Sequence, residues 1–133
     1  MQETMPQEIE VRYILPAIRR EFARIFIEDF RLNQKDAAKI LGITEAAVSQ
    51  YRHSKRAKEV VFSENVIDEI KSSAKKIIEN KSSKHMLMGE TFRITNLTKV
   101  KKILCDLHRQ QSKDLKNCNV CFEDTSLLAI KTK

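Results

Sequence analysis

The sequence predicts an all-α protein, on three observations. Its 133 residues hold just two glycines and two prolines, too few to supply the tight turns of a sheet protein. Apolar residues recur at steps of three and four over long stretches, the period of helices with one buried side. A third stretch, residues 34–53, carries two short helical patterns around a single glycine. The length suits one core, or a small domain with an extension.

The first long element runs to Phe30. Val11, Ile14, Leu15, Ile18, Phe22, Ile25, Phe26 and Phe30 form its apolar stripe. Pro16 interrupts that stripe, so the helix proper is expected to start there, with Ile9 to Leu15 as an extended or loosely helical lead-in. Leu32-Asn33 closes the element, and Asn33 is placed to cap the next helix.

Residues 34–53 read QKDAAKILGITEAAVSQYRH. Ala37, Ala38 and Leu41 give the apolar face of the first short helix, and Val48 and Tyr51 that of the second. Gly42 falls where the chain must turn sharply, a position that needs positive φ. Ala38 is small enough for two helix axes to approach closely. Ile43 fits the angle between them, and Thr44 is a good N-cap for the second helix.

A polar, cationic connector follows, from His53 to Lys58, and Val60, Val61 and Phe62 are expected to return to the core. Ser63 caps a helix reaching about Asn80, with Val66, Ile67, Ile70, Ala74, Ile77 and Ile78 on one face. That stripe suits either packing within the chain or a dimer seam. Lys81 to Lys84 is a polar linker. Thr95 to Gln111 is expected to form a last long helix, burying Leu97, Val100, Ile103, Leu104 and Leu107. The implied organisation is a compact unit over 8–62, a helical linker or dimerisation region over 63–112, a Cys/His segment over 103–125 and a tail over 126–133.

The formal charge of +7 is uneven. Residues 1–30 are net −2, residues 31–58 net +5 and residues 71–133 net +8. The central excess coincides with the paired short helices, and a basic surface favours polyphosphate partners. Apolar runs fall far short of the roughly 20 residues that cross a bilayer, and no signal-peptide pattern is visible. A cytoplasmic protein without a membrane partner is therefore expected, with thiols free or bound to metal.

The segment LNQKDAAKILGITEAAVSQYRHSKR resembles the Cro/repressor-type (lambda-repressor-like) helix-turn-helix family, in the version found in archaeal predicted transcriptional regulators. The small Ala38, the glycine at Gly42 and the apolar Ile43, Val48 and Tyr51 carry that resemblance. The lead-in EIEVRYILPAIRREFARIF is similar to the first helix of those regulators, so the likeness spans about residues 8–60. It implies a lambda-repressor-like domain that binds double-stranded DNA, as a homodimer on a two-fold operator, with a recognition helix at about 45–52 in the major groove. By that similarity Glu45, Ala46 and Gln50 would read bases: Gln50 paired with adenine, Ala46 against a thymine methyl, Glu45 accepting from cytosine. Gln34, Thr44, Ser49, Arg52, His53, Lys55 and Arg56 would hold phosphates, which sets register without choosing sequence.

All three cysteines lie in the last 29 residues, as Cys105-x2-His108-x9-Cys118-x2-Cys121. Cys105 and His108, at i and i+3 of a helix, share a face. Cys118 and Cys121 form a CxxC. Together they make a Cys3His set suited to tetrahedral zinc, structural by default because all four positions are filled. An iron–sulfur cluster or a redox disulfide at the CxxC would use the same residues. Such a site would either staple the C-terminal segment or act as a metal, redox or cluster sensor. Enzyme motifs are missing: the chain has no HExxH, no glycine-rich phosphate loop, no nucleophile elbow and no deaminase His-x-Glu. A different reading, an adaptor or RNA-associated protein, would place binding on the basic C-terminal half, at Lys99, Lys101 and Lys102.

Overall fold

The computed structural model describes residues 5–53, 60–81 and 83–110. Every regular element among them is helical. They are α1 (Pro6–Ile9), a π-helical turn (Glu10–Ile14), α2 (Leu15–Glu28), α3 (Gln34–Leu41), α4 (Glu45–Arg52), α5 (Glu64–Glu79), α6 (Lys84–Thr95) and α7 (Thr98–Gln110).

The expected lead-in before Pro16 is helical, and its helix is locally wide. Proline has no N–H, so a regular α-helix would leave the carbonyl four residues earlier without its donor. The chain widens just upstream of it, and the Leu15 N–H bonds the Glu10 carbonyl five residues back. This changes which residues face inward. Ile9 and Ile14 would diverge by about 140° on an α-helix, yet both are fully buried. Val11, expected in the buried stripe, is 64% exposed. The extra residue in the turn rotates it outward.

Beyond the turn the stripe is as expected. Ile18, Phe22, Ile25 and Phe26 are buried, and the rings of Phe22 and Phe26 stack at 5.7 Å between centroids. α2 is the central post of the fold, packing against α3, α4 and α5. It also buries a carboxylate the stripe does not reveal: Glu21 accepts Arg20 Nε at 2.8 Å and pairs with Arg24. Leu32 N–H returns to the Phe26 carbonyl at 3.0 Å, past Arg31 in the left-handed region.

α5 spends its stripe within the chain. Val66, Ile70, Ala74 and Ile77 are buried, and α5 packs on α2 and α6. The face considered as a dimer seam is thus core. Val60 and Phe62 are buried as expected, but Val61 is 82% exposed, because an extended stretch alternates its sides.

The helix expected over Thr95 to Gln111 is α7, and an unforeseen helix, α6, precedes it. α6 begins at an N-cap, Ser83, whose Oγ accepts the Met86 N–H at 3.4 Å. It ends at Asn96, and α7 follows with Val100 and Leu104 buried and Leu97, Ile103 and Leu107 half-buried. α7 packs on α1 and the π-helical turn. The C-terminal helices therefore lean back on the N-terminal element.

Candidate nucleic-acid interface

α3 and α4 are joined by a three-residue turn whose backbone is well determined by chemistry. Asn33 caps α3, its Oδ1 accepting the Asp36 N–H at 2.8 Å. Gly42 adopts φ +68°, and its N–H bonds the Lys39 carbonyl while Ile43 N–H bonds that of Ala38. This pair of bonds is a Schellman closure, which needs a left-handed residue at that one position. Thr44 then caps α4, its Oγ1 accepting the Ala47 N–H at 3.0 Å.

Packing fixes the rotation of α4. Val48 and Tyr51 are buried, and α4 lies against α2 and α3. At 100° per residue, Glu45, Ala46, Ser49, Gln50, Arg52 and His53 then fall on an arc of roughly 160° away from Tyr51, with Arg52 at its edge nearest Val48. All are exposed except Ser49, which is half-buried. Ala38 and Leu41 hold the inner side of α3, and Ile43 is packed against the core between the two helices.

The remaining expected contacts take their places around this face. Gln34 is the first residue of α3 and half-buried. Thr44 is exposed, and because its oxygen lone pair serves the cap, its O–H stays available to donate to an anionic oxygen. Glu45 stands in the first turn of α4, where the helix dipole favours a carboxylate. Lys55 and Arg56 lie outside the described residues.

The charge pattern of the sequence did not single out a basic groove beside α3. Lys39, Lys81 and Lys84 line a cleft of about 520 Å³ together with Asp36, Ile40 and Ile78. Lys39 comes from α3, Lys81 from the α5–α6 turn and Lys84 from the start of α6, at least 42 residues further along the chain, so only the fold assembles them.

Of the Cys/His set, Cys105 and His108 are both buried on α7, on the same side as Val100 and Leu104. Cys118 and Cys121 lie outside the described residues. Among the described residues no group of three or more His, Cys, Asp or Glu side chains is placed to hold a metal, and no helix is long and apolar enough to cross a membrane.

Comparison of the chain with protein-family models, with curated proteins and with solved structures finds no match.

Proposed function

We propose that the chain is a sequence-specific DNA-binding transcriptional regulator that lays α4 in the major groove as the second helix of a helix-turn-helix. One observation carries this reading: α4 buries Val48 and Tyr51 and leaves Glu45, Ala46, Gln50, Arg52 and His53 exposed, with Ser49 half-buried among them. The Schellman turn before it and the capped N-termini of both helices hold that face at a fixed angle to α3. On this reading Gln50 and Ala46 would meet base edges, with Glu45 beside them. Thr44, Ser49, Arg52, His53 and Gln34 surround that strip as phosphate partners, with Lys55 and Arg56 in the connector beyond. A homodimer would place two such helices on a two-fold operator.

Selection of binding sequences from random duplex DNA tests the reading. It expects an enriched motif, affinity falling steeply with salt, and a relaxed preference at one base pair in Gln50→Ala. Unchanged binding in Gln50→Ala, with binding abolished by neutralising Lys99, Lys101 and Lys102, would move the function to the C-terminal half.

The Cys3His set is proposed as a zinc staple on the same chain. Its donor chemistry fits: one thiol and one imidazole are held one helical turn apart on one side of α7. Zinc bound there would join Cys118 and Cys121 to α7, and through it to α1.

A further inference from the structure

A second surface remains after the core and the α4 face are accounted for. Five large apolar side chains among the described residues are strongly exposed, and two of them stand one turn apart on α6: Met88 at 64% and Phe92 at 73%. They border a groove of about 380 Å³ between α6 and the π-helical turn with the start of α2, floored by Leu15, Phe22 and Leu87. Exposed apolar side chains grouped around one cleft mark an association surface. Gly89, beside Met88, adds no side chain that would hold a neighbouring helix away; a Cβ there would meet nothing within 4 Å.

The charges at the groove indicate what covers it. Glu10 and Arg19 both line it. Among the described residues neither has an ion-pair partner. They are nine residues apart on one continuous element, roughly 13 Å along the axis, with Leu15 about midway between them. A two-fold axis passing near Leu15 would bring Glu10 of one copy opposite Arg19 of the other, twice. Such self-complementarity is what an isologous interface requires. Glu10 and Arg19 would form its rim, and Phe92 and Met88 its apolar centre.

We infer that this groove is the homodimer interface, in which Phe92 and Met88 of each copy fill the apolar cleft of the other and Glu10 pairs with Arg19 across the two-fold. The inference rests on the DNA-binding reading only for its purpose, a second half-site reader. The interface itself stands on the groove, and no residue of α4 lines it.

Sedimentation equilibrium of the full chain over a micromolar concentration series tests it without DNA. The protein should be a dimer. Phe92→Glu should weaken the dimer at least about a hundredfold with an unchanged circular dichroism spectrum, since Phe92 supports no core. Glu10→Arg should weaken it about tenfold, and combining it with Arg19→Glu should restore it. A wild-type monomer throughout the series, or a dimer indifferent to both Phe92→Glu and Glu10→Arg, overturns the proposal. Sequence selection on the same preparations separates the two readings: a monomer that still enriches a motif sinks only the interface. A Phe92-dependent dimer that enriches none sinks only the DNA reading.

Discussion

Ser73, buried in the middle of α5, donates its hydroxyl to the Glu90 carboxylate of α6 across 2.7 Å, and the same oxygen accepts Arg93 Nη2 at 2.8 Å. Arg93 continues to Glu69 of α5 at 2.7 Å, and Lys76 lies 3.8 Å from Glu90. This relay ties α5 to α6, which pack against each other. Burial pushes the Glu90 carboxyl up, but the Ser73 hydrogen bond, Arg93 and Lys76 together outweigh it and hold it below its ordinary value of 4.5. The hydrogen bond to Glu69 chiefly raises Arg93, which stays cationic.

A lowered carboxyl pKa contributes stability that is complete above the ordinary value and lost as pH falls through the folded one. The wild type should therefore weaken on acidification below about pH 4.5, whereas Glu90→Gln should show a flatter profile over that range. At neutral pH, Glu90→Gln should cost about 1–2 kcal/mol and Ser73→Ala about 1 kcal/mol. Urea denaturation at a series of pH values measures both.

Gly42→Ala isolates a backbone effect. A Cβ at that position would touch nothing within 4 Å, so the cost comes from φ +68° alone. A loss of about 1–2 kcal/mol is expected by chemical denaturation. Gly42→Asn should lose less, because asparagine tolerates the left-handed region.

The two sides of α4 should separate cleanly under mutation. Gln50→Ala changes an exposed residue and should shift stability by less than about 0.5 kcal/mol, while losing about 1–3 kcal/mol of discrimination at one base pair. Val48→Ala should do the reverse, costing roughly 2 kcal/mol of stability through lost burial and a cavity. Its folded fraction should keep the wild-type sequence preference. Thermal melts paired with competition binding distinguish these outcomes.

Metal removal should act on the C-terminal staple. Elemental analysis of the wild type is expected to find one zinc per chain, and Cys118→Ser or His108→Ala to abolish it. Chelation should increase hydrogen exchange in α7 before it affects α3 and α4. A metal-free wild type with four intact ligand residues would remove the zinc proposal.

What the sequence made legible follows from how each element is buried. α2, α3, α4 and α5 each have one inner side, so Ile18 and Phe22, Ala38, Val48 and Ile70 could be read from spacing. α6 hides because it has two apolar sides: Ile94 faces the core while Met88 and Phe92 face outward. Its pattern therefore has no clear period. Val11 misleads because spacing assumes 100° per residue, and the π-helical turn breaks that assumption. The α4 face was legible by subtraction, since Val48 and Tyr51 fix what remains. The groove residues Glu10 and Phe92 were not, because their proximity exists only once α6 folds back on the start of α2.

The π-helical turn amounts to a one-residue insertion in an otherwise regular helix. Deleting any single residue between Glu10 and Ile14 would let the turn relax into ordinary α-helix, without breaking the helix itself. Ile9 and Ile14 would then stand four residues apart, about 40° round the axis, so Ile9 would stay on the core side. α7 rests on α1 and this turn, so it would keep its seat. Over a lineage, such a deletion would preserve both the helix and the contact of the C-terminal helix with the N-terminal one. A further insertion would instead swing everything upstream by about 100°, so this segment can shorten by one residue more easily than it can lengthen.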